Sequence, residues 1–167
     1  MTSRPGDFGL LIGDDFVGRL IRVGEWLNGD GFSQYSHAVV LLDDDTILEA
    51  EPGGARIRPV TEYPVGQVVW SSWPLSGAAR YSIVLHAREL LGTPYSFLDY
   101  VALAARRLHI PAPGLRRYIK STGHLICSQL VDEAYGRAGL PMFTDGRWPG
   151  DVTPADLGRV LTGPVTA

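Results

Sequence analysis

The spacing of apolar residues changes near Ser76, and this change constrains the fold of the 167-residue chain more than any other feature. Before Ser76, apart from one stretch of helical spacing at residues 16–27, short runs of β-forming residues lie between turns, whereas after it apolar residues recur at helical spacing. Strands grouped mostly ahead of helices are typical of the α+β class. The length and the 45% apolar content suit one buried core. We therefore expect residues 1–167 to form a single α+β domain.

Five strands and five helices follow from these patterns. We expect the strands at residues 8–12, 36–42, 46–51, 55–60 and 67–71. We expect the helices at residues 16–27, 77–91, 97–108, 125–138 and 154–160. Asp43, Asp44 and Asp45 separate the second and third strands, which predicts a turn and an antiparallel hairpin.

Charge and hydropathy exclude several classes of function. The formal net charge is −3 and the basic residues are scattered, so we expect no nucleic-acid partner. No apolar run approaches the length of a membrane span, and no signal peptide is visible. We therefore expect no transmembrane segment and a protein that is cytoplasmic or released without a classical signal peptide. These patterns leave the oligomeric state open.

Cys127 is the only cysteine, so it cannot form an intramolecular disulfide or a multi-cysteine zinc site. It begins an apolar stripe at helical spacing that runs through Leu130, Val131 and Ala134, and its sulfur should face inward. The first turn of a helix favours thiolate over thiol. A free cysteine is also a common small core residue. Cys127 is thus a candidate nucleophile or core filler.

His37 lies near the start of a predicted apolar strand, where a rigid backbone can present a general base. The three-residue turn of the hairpin sets Glu51 opposite His37 and Glu49 diagonal to it. Either carboxylate could orient the imidazole, or both could be solvated charges at the end of a strand. His124, three residues before Cys127, is the alternative base or a pocket residue, although so close a neighbour rarely reaches suitable geometry.

Five short fragments resemble motifs of the NlpC/P60 superfamily of papain-like cysteine peptidases. They are Gly6-Asp7-Phe8, Ser36-His37-Ala38-Val39-Val40, Ile47-Leu48-Glu49-Ala50, Gly92-Thr93-Pro94-Tyr95 and Cys127-Ser128-Gln129-Leu130-Val131. In ordinary members the cysteine segment comes first, whereas here it comes last. The order resembles the circularly permuted branch, which includes YiiX-like proteins and lecithin:retinol acyltransferase relatives.

This resemblance implies a circularly permuted papain-like fold with an antiparallel sheet packed against the cysteine helix. It implies Cys127 as nucleophile, His37 as base and Glu49 as the third member. Tyr95 would lie near the nucleophile and help to hold the oxyanion, or else pack between helices. Ala38-Val39 stands where many members have an apolar residue and then glycine, and Ser128-Gln129 where many have serine and then glycine or glutamate. These departures affect the shape of the pocket and the subfamily more than the catalytic pair.

The resulting expectation is a cysteine hydrolase that cleaves an amide through an acyl-enzyme, with a peptide or small acyl-bearing substrate. Peptide and isopeptide bonds, including those of cell-wall peptides, are the candidate amides. The alternatives are a lipid acyl hydrolase or acyltransferase of the same fold, and a non-catalytic binding module. We expect no cofactor, because the acyl-enzyme route needs none. We expect no metal, because the aspartates at 43–45 lack the spaced oxygen ligands of a calcium loop.

Overall fold

The computed structural model describes residues 3–12, 34–51, 53–94, 126–147 and 152–163. Its strands are β1 (Phe8–Ile12), β2 (Tyr35–Leu41), β3 (Thr46–Glu51), β4 (Gly54–Pro59) and β5 (Val68–Trp70). Its helices are α1 (Gly77–Glu89), α2 (Cys127–Arg137) and α3 (Pro154–Arg159), and a 3-10 turn spans Val60–Glu62. The helices expected at 16–27 and 97–108 lie outside the described residues.

The strands form one antiparallel sheet in the order β4-β3-β2-β1-β5. Val39 pairs with Glu49 across the β2–β3 hairpin, in the register that the three-aspartate turn predicts. Asp45 adopts a φ of 56°, a conformation that aspartate tolerates in turns. The α+β class and the antiparallel sheet are confirmed.

All three described helices contact the sheet, and their side chains form the main core with it. Alternation along β2 directs Ala38 and Val40 into this core. Phe8, Trp73 and Tyr135 meet there edge to face, with ring centroids 5.3–6.4 Å apart. The helical stripe predicted on α2 is fully buried at Leu130, Val131 and Ala134, so α2 packs as its spacing indicates.

The opposite face of the sheet carries a smaller apolar cluster of Leu11, Val39, Leu41 and Ile47. Val60 and Tyr63 from the connection between β4 and β5, and Val68 and Trp70 from β5 itself, pack against it. Glu49 follows Ile47 by two residues in β3 and therefore lies on the same face. A charged residue is thus buried beside an apolar cluster, which requires polar partners.

The helices begin and end close to the predicted residues. Ser76 caps α1 by accepting a hydrogen bond from the Ala79 N–H, and Thr153 caps α3 in the same way through the Asp156 N–H. The longest described helix, α1, has 13 residues. None of the described helices is long and apolar enough to cross a membrane, as expected.

Candidate active site

Two hydrogen bonds, made by the side chains of Ser128 and Gln129, hold the start of α2. Gln129 Oε1 accepts from the Ile126 N–H at 3.2 Å, and Ser128 Oγ donates to the Val152 carbonyl at 2.7 Å. Cys127 itself is the first helical residue and only 2% exposed. Ser128 and Gln129, the two residues that follow Cys127, therefore hold the peptide that carries the thiol.

A β-bulge in β2 lies directly before His37. Leu11 pairs with His37, but the next residue of β1, Ile12, pairs with Tyr35, so Ser36 is an extra residue on β2. Such a bulge bends its strand and changes the direction of nearby side chains. The bulge therefore affects the direction of the His37 side chain.

The imidazole of His37 lies between two functional groups. Its Nε2 is 3.2 Å from Oε2 of Glu49, and the ring also hydrogen-bonds the Cys127 side chain. Because Nε2 is engaged by Glu49, Nδ1 is the nitrogen left to serve the thiol. Cys127, His37 and Glu49, which are far apart in sequence, are therefore brought together in the order thiol, imidazole, carboxylate.

Glu49 is fully buried and accepts hydrogen bonds on both carboxylate oxygens. Tyr63 Oη donates to Oε2 at 2.5 Å, the oxygen that also faces His37. Arg56 Nε donates to Oε1 at 3.2 Å, and Arg58 Nη1 lies 3.6 Å from the same oxygen. Burial alone would raise the pKa of Glu49, but hydrogen bonds from His37, Tyr63 and Arg56 lower the pKa to about 2.

His37 is held in its charged form. Burial acts to lower the pKa of His37, but the charge and hydrogen bond of Cys127, followed by those of Glu49, raise the pKa to about 10. An imidazolium between a thiol and a buried carboxylate favours the thiolate, as in other activated cysteines. The arrangement can therefore supply a nucleophile and a proton donor at neutral pH.

Glu51 continues the hairpin register to a position opposite His37. Its carboxylate forms an ion pair with Arg56, and its side chain is one-third exposed. The diagonal residue, Glu49, hydrogen-bonds the imidazole. Tyr95 and His124 lie outside the described residues, so their proposed roles stay predictions.

Arg56 and Tyr63 were not identified from the sequence. A signal for Arg56 existed, because the tight turn at 52–54 predicts β3–β4 pairing and Arg56 pairs directly with Glu49. Tyr63 follows the 3-10 turn and reaches Glu49 from outside the sheet. No local sequence pattern indicates that contact.

His37, Glu49 and Glu51 also form a candidate donor set for a metal ion. Ligand atoms of His37, Glu49 and Glu51 lie within 4.8 Å of one another. However, Arg56 bonds both carboxylates and Arg58 approaches Glu49, so two guanidinium groups already neutralise these oxygens. A cation would have to displace them, and the described residues fit an ion-pair network rather than a metal centre.

Comparison with known proteins identifies a shared fold. No protein-family model and no curated protein sequence matches the chain. Among solved structures, the chain is similar to the crystal structure of the metalloprotein YiiX from Escherichia coli O157:H7, at a TM-score of 0.59 and 19% identity. The match covers 89% of this chain and 77% of that one. At this identity the likeness shows the fold alone, and the expected likeness to YiiX-like proteins is confirmed at that level.

Proposed function

We propose that this protein is a cysteine hydrolase that cleaves an amide through an acyl-enzyme on Cys127. The observation that carries the proposal is the position of His37, which hydrogen-bonds both the Cys127 side chain and the buried carboxylate of Glu49. Nucleophile, base and orienting group in this geometry are the requirements for covalent acyl transfer. We also propose that the chain is related to the NlpC/P60 superfamily and that its fold is circularly permuted.

In the first half of the reaction, the Cys127 thiolate attacks the substrate carbonyl and forms a tetrahedral oxyanion. The positive end of α2 stabilises the developing charge, and Tyr95 is the proposed additional donor. The oxyanion then collapses, the C–N bond breaks, and the His37 imidazolium gives its proton to the leaving amine. A thioester on Cys127 and a neutral imidazole remain.

In the second half, neutral His37 takes a proton from water while the water oxygen attacks the thioester carbonyl. Collapse of this intermediate releases the carboxylic acid and restores the thiolate and the imidazolium. Glu49 keeps its charge throughout and holds the ring through Nε2. Every proton is therefore accounted for by Cys127, His37, water and substrate.

The test is to detect the acyl-enzyme by intact-mass spectrometry after mixing the protein with peptide p-nitroanilides and with short- and long-chain p-nitrophenyl esters. We expect a single acyl adduct that is absent in Cys127→Ala and forms about 10²- to 10⁴-fold more slowly in His37→Ala. Turnover of the anilides supports an amidase, whereas turnover confined to long-chain esters favours the lipid acyl alternative.

His86→Ala is the matched control, because this histidine is paired with Glu89 on α1 and lies outside the site. Its acylation rate should equal that of the unmodified protein, with or without EDTA. Full turnover by Cys127→Ala would contradict the mechanism. No adduct with any substrate would favour the non-catalytic binding module.

A further inference from the structure

We propose that Tyr63 is a positioning residue that holds the Glu49 carboxylate against His37. The inference rests on the proposed function, because it concerns the base of that same site. Tyr63 Oη and His37 Nε2 share one oxygen of Glu49, Oε2, at 2.5 Å and 3.2 Å. Two donors on one oxygen fix its place more tightly than either does alone.

The need for such a restraint comes from the other end of the carboxylate. Arg56 Nε donates to Oε1 at 3.2 Å, and Arg58 Nη1 lies 3.6 Å from that oxygen. These two cations attract the carboxylate toward β4, away from the imidazole. Without the Tyr63 hydroxyl, we expect Glu49 to turn toward the arginines and the contact with His37 to weaken.

Tyr63 is suited to this role because other contacts fix its position independently of Glu49. Its backbone N–H donates to the Val60 carbonyl at 3.2 Å, which closes the 3-10 turn. Its ring packs against the apolar cluster of Leu11, Val39, Leu41 and Ile47. Burial and the hydrogen bond to Glu49 raise the pKa of Tyr63, so its hydroxyl remains a neutral donor. Tyr63→Phe keeps the ring and removes only the hydroxyl.

The experiment is an NMR titration of the His37 imidazole in the unmodified protein and in Tyr63→Phe. The His37 signal is assigned by its loss in His37→Gln, since the chain has four histidines. We expect the pKa of His37 to fall by roughly half a unit to one unit in Tyr63→Phe, the size of one weakened hydrogen bond. Acylation of Cys127 at neutral pH should slow by roughly 3- to 10-fold.

Tyr135→Phe is the matched control, because Tyr135 is a buried tyrosine whose hydroxyl donates to the Gly6 carbonyl at 2.6 Å. A purely structural loss of a buried hydroxyl should lower its thermal stability and leave the His37 titration unchanged. An unchanged or higher pKa of His37 in Tyr63→Phe overturns the inference. So does an equal shift in Tyr135→Phe.

Repeating the titration in Cys127→Ala separates this inference from the proposed function. If Tyr63→Phe still lowers the pKa of His37 in that background while the unmodified protein never acylates, the positioning contact stands and the hydrolase proposal fails. If the unmodified protein acylates but Tyr63→Phe changes neither the titration nor the rate, the hydrolase stands and the role of Tyr63 is wrong.

Discussion

A buried carboxylate such as Glu49 is tolerated because each of its oxygens has a donor. A charged group without partners would cost far more to bury than the few kcal/mol that a neutral polar group costs. Glu49 is 0% exposed, yet Tyr63, His37 and Arg56 all reach it. The residue therefore keeps a negative charge at the place where it can orient and stabilise the imidazolium.

The comparison of Glu49→Gln with Glu51→Gln tests which carboxylate orients His37. The amide at position 49 is neutral and presents an NH2 group to a site built from donors, so we expect acylation to slow by about 10²-fold or more. Glu51→Gln removes only a partly exposed ion pair with Arg56 and should change the rate less than about 5-fold. Acylation rates of the two variants, measured by intact-mass spectrometry, decide between the two carboxylates. A larger loss in Glu51→Gln would assign the orientation of His37 to Glu51.

The individual site residues differ in how far the sequence could predict them. Position on predicted elements makes Cys127 and His37 candidates, and the hairpin register correctly makes Glu49 diagonal to His37. Strand geometry alone left Glu49 and Glu51 as alternatives, because the choice depends on Arg56, a residue of the neighbouring strand. Tyr63 depends on a tertiary contact and was not predictable from local pattern.

For the described residues, the spacing of apolar residues and the helix-capping residues were sufficient to predict the strands and helices. β1 and β3 have the predicted ends, and β2, β4 and β5 each differ from the prediction by one residue at both ends. Helix α1 ends two residues before the prediction, since Leu90 already acts as its C-cap. The bulge at Ser36 could not be predicted, because it is defined only by the pairing of β2 with β1.

The contact between α3 and β2 gives a prediction for Gly158. A Cβ added there would lie 2.9 Å from the Tyr35 ring, and Tyr35 directly precedes the bulge at Ser36. We expect Gly158→Ala to lower the free energy of unfolding by roughly 1–3 kcal/mol, because the ring must shift. Chemical denaturation measures this change, and Cys127 acylation should slow as the start of β2 moves.

Gly136→Ala is the matched control for that prediction. Gly136 lies in α2, and nothing is within 4 Å of an added Cβ. Helix propensity alone then applies, and the free energy of unfolding should rise by roughly 0.5–1 kcal/mol. If Gly158→Ala stabilised the protein as much as Gly136→Ala, the close approach of α3 to Tyr35 would be wrong.

In the molecule as a whole, the site depends on both faces of the sheet. The thiol belongs to the main core formed by the helices, whereas Glu49 and Tyr63 lie with the apolar cluster on the opposite face. His37, near the start of β2, contacts groups from both. The α+β class was predictable from the change in the spacing of apolar residues near Ser76. The contact of His37 with groups from both faces depends on tertiary packing, which no single segment of the sequence determines.

The charges of the site define the pH range in which it can work. The pKa of Glu49 is lowered to about 2, so the carboxylate is ionised above that pH. The pKa of His37 is raised to about 10, so the imidazolium persists until the pH rises through that value. Both charges are therefore present across the neutral range, in which the imidazolium favours the thiolate form of Cys127.

The pH dependence of Cys127 alkylation by iodoacetamide tests the central claim most directly. Because Cys127 is the only cysteine, all label reports on this thiol, and the urea-unfolded protein supplies an ordinary thiol as reference. The account predicts a half-maximal rate well below pH ~8.5, and a shift toward that value in His37→Ala. A half-maximal rate near pH ~8.5 in the folded protein, unchanged by His37→Ala, would contradict it.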